Sequence, residues 1–210
     1  MAQDQDEAGR APGANRGVVV PDKERHGLHG RLVGRFGSRV GEAIYAFAAC
    51  LLALAVSGLA AYLAKQPLLF PSLGPTALLF FERPMATTSS PRNALIGHAV
   101  AILAGALSLA LFGLLDNSSI LVEDATPARI GAGALSVALT GAVLLLSNAS
   151  HPPAGATTLI VSLGFLQTPP EMAALMAGVV LLTVVGWLLN RAAGVPAPVW
   201  GTKETPAKSR

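Results

Sequence analysis

The chain has few charged residues for its length, and most of them lie near its two ends. Asp, Glu, Lys and Arg make up 13% of the 210 residues, whereas an average soluble domain has about 25%. Residues 1–42 and 191–210 hold 18 of the 27 charges, and 52% of the chain is hydrophobic. The stretch between has too little polar surface for a soluble or disordered protein. The composition therefore predicts a membrane domain between two polar tails.

Several other signals are missing. The single cysteine, Cys50, excludes an intrachain disulfide, a thiolate cluster and a CxxC pair. The basic residues are mixed with acids and lack an aromatic-rich patch, so the net charge of +3 does not indicate a nucleic-acid partner. Without HExxH, GxSxG or paired intramembrane carboxylates, we expect neither an enzyme nor a metal or cofactor site.

Six apolar segments follow one another along the chain. Four lack charge throughout and approach the ~20 residues that cross a ~30 Å hydrocarbon core. These four cover residues 43–63, 94–115, 130–148 and 172–190. Two shorter segments, 67–82 and 150–168, are broken near their start by Pro and Gly. Broken backbone at membrane depth requires surrounding protein or a water-filled cavity.

The basic residues favour six crossings over four. Six crossings place 13 of the 15 Lys and Arg on the cytoplasmic side. We therefore expect both termini in the cytoplasm. The predicted domains are a polar, mostly disordered tail (1–40) with a short interfacial helix over 31–42, a membrane domain (41–191) and a disordered tail (192–210).

The two broken segments match each other at an offset of 81 residues. Pro71, Gly74, Thr76 and Leu78 then fall on Pro152, Gly155, Thr157 and Leu159. We predict an all-α membrane protein, a bundle of four long transmembrane helices plus two short broken elements, forming inverted repeats over 43–115 and 129–190. Interrupted segments at matching positions point to a substrate site in transporters. Alternatively, the prolines only kink two packed helices.

The broken segments predict a site for an anion. If two short helices start near the membrane midplane, their unpaired N–H groups and positive dipole ends attract negative charge. In the first segment the candidate binding residues are Ser72, Gly74 and Thr76. In the second segment they are His151, Pro152, Pro153, Gly155 and Thr157. The glycines would allow close approach to the backbone, and the threonines would add hydroxyl donors.

His151 has an alternative role: it could bind the anion or carry a coupling proton, or it could cap a helix. Four further polar residues are candidates, also with alternatives. His98 either joins the site or bonds to a neighbouring helix. Arg92, with Asn93 beside it, either attracts anions at a mouth or anchors the topology. Asn148 either contacts the ligand or caps a helix.

The motifs FPSLGPTALLF (70–80), PRN (91–93) with the following Gly-His (97–98), and HPPAGAT (151–157) resemble those of the HPP family of integral membrane proteins. The resemblance implies four transmembrane segments, with the HPP motif as signature, in a bacterial plasma (inner) membrane. Plant plastid and cyanobacterial members are similar to nitrite transporters. The resemblance therefore implies nitrite as the first substrate to consider.

Two hypotheses remain from the sequence. The leading one is a transporter of a small inorganic anion, embedded in the lipid bilayer. The alternative is a structural or partner-binding membrane protein without a ligand, docking through its N-terminal tail. Small residues on the helix faces allow close packing and are compatible with a homodimer.

Overall fold

Four helices are long and apolar enough to cross a membrane in the computed structural model, which describes residues 27–201. They are α2 (Ser38–Ala64), α4 (Pro91–Leu111), α6 (Pro127–Leu146) and α8 (Pro169–Ala192). The last three begin with proline directly after Ser90, Thr126 or Thr168. Proline suits the first helical position and hydroxyl residues suit the N-cap, so the sequence itself sets these starts.

Two short helices correspond to the broken segments. They are α3 (Leu73–Glu82) and α7 (Ala154–Ser162). At 1.5 Å per residue each spans only about half of a ~30 Å core. The remaining helical elements are α1 (Leu28–Phe36), α5 (Ile120–Glu123) and a 3-10 turn at Thr87–Ser89.

The helix ends meet at two opposite ends of the bundle. At one end α2 and α4 begin while α6 and α8 finish, as shown by the hydrogen bonds Arg92–Asn148 (3.0 Å) and His29–Ala193 (3.1 Å). We call it the basic end, after Arg31, Arg35, Arg39, Arg83, Arg92 and Arg191. The opposite, acidic end holds Asp116, Glu123, Asp124 and Glu171. The links that contain α3 and α7 must each run from one end to the other, which is compatible with the predicted six crossings.

The helix packing is reciprocal between the two halves. α4 packs on α6 and α7, and α8 packs in the same way on α2 and α3. A Cβ added at Gly105 would lie 2.7 Å from Val161 Cβ, and one added at Gly186 would lie 2.8 Å from the Phe80 ring. The 81-residue shift converts one of these pairs into the other. This exchange is compatible with the predicted inverted repeat.

The predicted tails require correction where the structure describes them. The first membrane helix begins at Ser38, and the preceding helix covers Leu28–Phe36 rather than 31–42, because Gly37 (φ 81°) breaks the chain between them. Residues 193–201 are not a disordered tail. Val195 and Ala197 are buried, and the Trp200 carbonyl accepts a hydrogen bond from the Arg92 amide (3.0 Å). The expected disorder of 1–26 and 202–210 lies outside the described residues.

Candidate functional site

His98 lies at the centre of a buried polar cluster that joins the two broken helices. It projects from α4 about two turns after the helix start and is fully buried. Its Nδ1 is 2.6 Å from the Thr157 hydroxyl on α7, and its Nε2 is 3.0 Å from the Thr76 hydroxyl on α3. The two threonines that the repeat superposes therefore contact one imidazole from opposite sides.

His151 completes this cluster from the turn that precedes α7. Its Nε2 is 3.4 Å from the Thr76 hydroxyl, and its Nδ1 is 2.8 Å from the Thr88 carbonyl. The His98 and His151 ring centroids are 5.1 Å apart. Gly97 makes the approach feasible, because a Cβ there would lie only 2.8 Å from His151 Cβ. We call Thr76, His98, His151 and Thr157 the inner cluster; each is at most 1% exposed.

The predicted source of the anion site, unpaired amides at the two helix starts, is wrong. The amides of Leu73 and Gly74 bond to the carbonyls of Phe70 and Pro71, at 3.0 and 3.3 Å. Those of Ala154 and Gly155 bond likewise to His151 and Pro152, at 3.0 and 3.1 Å. Each of these hydrogen bonds joins residues three positions apart, and the prolines in these turns favour that arrangement. Side chains, rather than amides, must therefore supply the donors.

Neither short helix has a side-chain cap at its start. Ser72 stands at the N-cap of α3 but makes no capping bond, and Pro153, rather than His151, occupies the N-cap of α7. The Ser72 hydroxyl is buried without a hydrogen-bond partner. A Cβ at Gly74 or Gly155 would meet nothing within 4 Å, so space remains beside both backbones.

A groove runs between the two broken helices beside the inner cluster. It encloses about 340 Å³ and is lined by Pro75, Leu78, Leu79, Glu82, Pro152, Pro153 and Ala156. Pro152 is exposed to this groove while Pro153 is buried. The signature prolines therefore form the wall between the groove and His151.

The predicted residues Arg92, Asn93 and Asn148 lie outside the inner cluster, at the basic end. Arg92 donates to the carbonyls of Ser147 (3.3 Å) and Asn148 (3.0 Å), so it caps the C-terminus of α6. Asn93 accepts from Arg92 (3.0 Å) and donates to the Ser150 carbonyl (3.2 Å). Asn148 takes a left-handed turn (φ 48°) and is exposed.

These asparagines line a cavity of about 120 Å³, which we call the vestibule. Its walls are Thr87, Thr88, Asn93, Leu144, Leu145, Asn148 and Ser150. Thr88 belongs to the vestibule and also bonds to His151 through its carbonyl. Thr88 thus connects the vestibule at the basic end to His151 of the inner cluster.

Sequence reasoning missed several polar residues between the inner cluster and the acidic end. Arg129 is only 1% exposed, and its guanidinium donates to the carbonyls of Ser162 (3.5 Å) and Ser118. Ser136 donates to the Ser162 hydroxyl (2.9 Å), and the buried Thr158 hydroxyl has no partner. Arg129 is one of the two basic residues that six crossings do not place on the cytoplasmic side. Its position in the first turn of the apolar helix α6 is the sequence signal that indicates a buried role.

A metal centre finds no support in the described part of the chain. Between residues 27 and 201, no three His, Cys, Asp or Glu side chains are grouped closely enough to hold a metal ion. His98 and His151 supply two imidazoles, whereas a zinc site uses three or four protein ligands.

The fold and the inner cluster define a multi-pass helical membrane protein with a buried histidine–threonine centre. The family described as "HPP, transmembrane region" matches residues 37–198, and the chain belongs to this family. A transmembrane protein of Dictyostelium discoideum is 30% identical over 105 residues, which are 50% of this chain and 33% of that protein. The chain thus matches about a third of that relative's length. No solved structure matches the chain.

Proposed function

We propose that the protein transports a small inorganic anion across the membrane through the inner cluster, with nitrite as the first substrate to test. The observation that carries the proposal is the position of His98, which joins Thr76 and Thr157 where both broken helices start. Ionisable residues inside a membrane are costly and are functional candidates by default. Broken helices at matching positions are where transporters bind their substrates.

The polar groups along the proposed path suit an anion. The inner cluster contacts hydroxyls, imidazoles and carbonyls, and no carboxylate is among these contacts. Arg92 stands beside the vestibule at the basic end and Arg129 is buried toward the acidic end. A cation near each end of the proposed path raises the local concentration of anions.

The orientation and the membrane complete the proposal. Arginines gather at the basic end, and Lys and Arg mark the cytoplasmic side of membrane proteins. We therefore place the basic end, with both chain termini, in the cytoplasm and the protein in a bacterial inner membrane.

Nitrite uptake into proteoliposomes tests the proposal. The comparison is between wild type, His151→Ala and the matched control His29→Ala, whose imidazole packs on Tyr45 away from the inner cluster (5.0 Å between rings). We expect uptake by wild type and by the control, and loss of uptake in His151→Ala. Each variant should first show an unchanged thermal melt by circular dichroism.

Absence of uptake by folded wild type, also with nitrate, formate and chloride, would contradict anion transport. The alternative hypothesis, a partner-binding membrane protein, would then be favoured. In that case, deletion of residues 1–26 should abolish recovery of a partner from native membranes. A transporter should keep its uptake after the same deletion.

A further inference from the structure

The inner cluster has one more hydrogen-bond contact than it has hydrogens. Five contacts link its members to each other and to two carbonyls. They are Thr157–His98 (2.6 Å), His98–Thr76 (3.0 Å), Thr76–Ser72 carbonyl (3.0 Å), Thr76–His151 (3.4 Å) and His151–Thr88 carbonyl (2.8 Å). Two hydroxyls and two neutral imidazoles supply four hydrogens, since each carries one. One of the five contacts must therefore lack its hydrogen.

The carbonyls determine where the four hydrogens lie. A carbonyl only accepts, so His151 must donate from Nδ1 to Thr88. The Thr76 hydroxyl donates to the Ser72 carbonyl (3.0 Å), because that carbonyl can only accept, whereas the equally close Nε2 of His98 (3.0 Å) can itself donate to Thr76. His98 must then donate from Nε2 to Thr76, and its Nδ1 accepts from Thr157. His151 Nε2 is left facing the Thr76 oxygen with no hydrogen between them.

The distances agree with this assignment. The contact without a hydrogen, His151 Nε2 to Thr76 Oγ1, is the longest of the five at 3.4 Å. The other four lie between 2.6 and 3.0 Å. A fifth proton on His151 Nε2 would complete the network, because Thr76 can accept from both imidazoles while it donates to Ser72.

The charged groups on the surrounding elements do not supply this proton's counter-charge. His98 is the titratable group in direct contact, and two cations on rings 5.1 Å apart would repel each other, so one proton is the limit. Arg92 on α4 is bonded to α6 carbonyls. Glu82, which lines the groove, and Arg83 are exposed at the C-terminal end of α3 and make no hydrogen bond to the inner cluster. On α6 and α8 the charged residues are at the helix ends: Arg129, Glu171 and Arg191.

A lone charge in this cluster would be unfavourable. Transfer of an unpaired ion from water to a buried site is strongly unfavourable, whereas burial of an adjacent pair of opposite charges is less unfavourable. We propose that His151 Nε2 is a proton-binding site and that the proton enters together with the anion, so that the two cross the membrane as a neutral pair. This inference rests on the proposed anion transport and adds its coupling ion.

Imidazole tautomers test the proton site without any transport measurement. The sample is full-length protein with His26→Gln and His29→Gln, labelled with ¹⁵N histidine, so that only His98 and His151 report. We expect His98 to carry its hydrogen on Nε2 and His151 on Nδ1, and acidification to protonate His151 first. A His151 that carries its hydrogen on Nε2 when neutral, or first protonation of His98, would overturn the assignment.

Proton movement tests the coupling. Proteoliposomes with an internal pH dye and a clamped membrane potential receive external nitrite, with protein-free liposomes as the background for passive acid entry. We expect about one proton to enter with each nitrite. Nitrite uptake without internal acidification would overturn the coupling while anion transport stands. If no nitrite enters at all, the proposed function fails, and the tautomer measurement still decides the proton site.

Thr76 offers matched variants. Thr76→Val removes the shared hydroxyl and should lower coupled uptake roughly tenfold or more. Thr76→Ser keeps the hydroxyl and should retain both fluxes. Thr158→Val is the control, because this buried threonine belongs to the same region but makes no hydrogen bond. Equal losses in Thr76→Val and Thr158→Val would contradict a specific role for the Thr76 hydroxyl.

Discussion

The two halves of the bundle share their packing and differ in their chemistry. At the 81-residue offset, Thr76 pairs with Thr157, and both contact the same imidazole. His98, however, corresponds to Val179, which is buried in α8, and His151 corresponds to Phe70. Both histidines therefore occupy positions where the other half has a hydrophobic residue. A repeated fold can thus hold a single asymmetric site when only one of two equivalent positions carries a polar residue.

Making the two halves alike should have the largest effect. His98→Val gives α4 the side chain that α8 carries. It leaves the buried Thr157 hydroxyl without its partner, whereas Thr76 keeps its bond to the Ser72 carbonyl. We expect anion uptake to fall below detection and the free energy of unfolding to fall by about 1–3 kcal/mol for the unpaired hydroxyl. Uptake and chemical unfolding in detergent measure the two effects. The control Ile102→Val, on the same helix, should cost only about 0.5–1.5 kcal/mol. Wild-type uptake by His98→Val would remove this histidine from the site.

A methyl group added at each of the two paired glycines tests whether the two halves are packed equally closely. Gly105→Ala and Gly186→Ala should each destabilise the fold by about 1–3 kcal/mol through overpacking. Gly105→Ala should cost more, because its Cβ would also lie 3.0 Å from the Thr158 backbone oxygen, whereas Gly186 faces a Phe80 ring that can turn.

Thermal unfolding by circular dichroism measures both glycine variants. Gly141→Ala is their control, since a Cβ there would meet nothing within 4 Å. This control should be neutral or stabilising by up to about 1 kcal/mol. Equal melting temperatures for all three variants would argue against close packing at the paired positions.

The C-termini of the two short helices are capped by different residues, and two variants test the cap of α3. Asn190 donates to the Phe80 carbonyl near the end of α3 (3.1 Å) and accepts from the Tyr45 hydroxyl (2.7 Å), whereas Arg129 occupies the end of α7. Asn190→Ala should cost about 1–3 kcal/mol, and Tyr45→Phe about 1 kcal/mol. Denaturant titration compares them; a larger loss in Tyr45→Phe than in Asn190→Ala would contradict the cap.

The helix starts should show the smallest difference. Thr168 and Glu171 form a reciprocal capping box on α8, whereas Ser90 on α4 accepts one bond from the Asn93 amide (3.3 Å). Thr168→Ala and Ser90→Ala should each cost about 1 kcal/mol. We expect the loss at Thr168 to be slightly larger in the same titration. A difference in the opposite direction would indicate that the box adds nothing to α8.

Hydropathy and proline positions determined much of the fold in advance. The four long helices and two broken ones follow from uncharged runs and from the Pro and Gly that interrupt them, and the matching threonines of the inner cluster follow from the repeat. Backbone partners could not be predicted, because the Thr88 carbonyl reaches His151 only through tertiary packing. For the same reason the sequence left open whether Arg92 attracts anions at a mouth or anchors the topology, and the structure shows its guanidinium bonded to the Ser147 and Asn148 carbonyls at the end of α6.

The first and last described residues both lie at the basic end, and this placement bears on the side of the membrane that each terminus occupies. Gly27 packs against Ala193 and Gly194, and Gly201 lies beside Arg92, so the chain enters and leaves the bundle at one face. A protease added outside the vesicles should therefore act on both ends of the chain or on neither. One digestion, read by epitope tags at the two termini, reports the orientation of every molecule in the preparation.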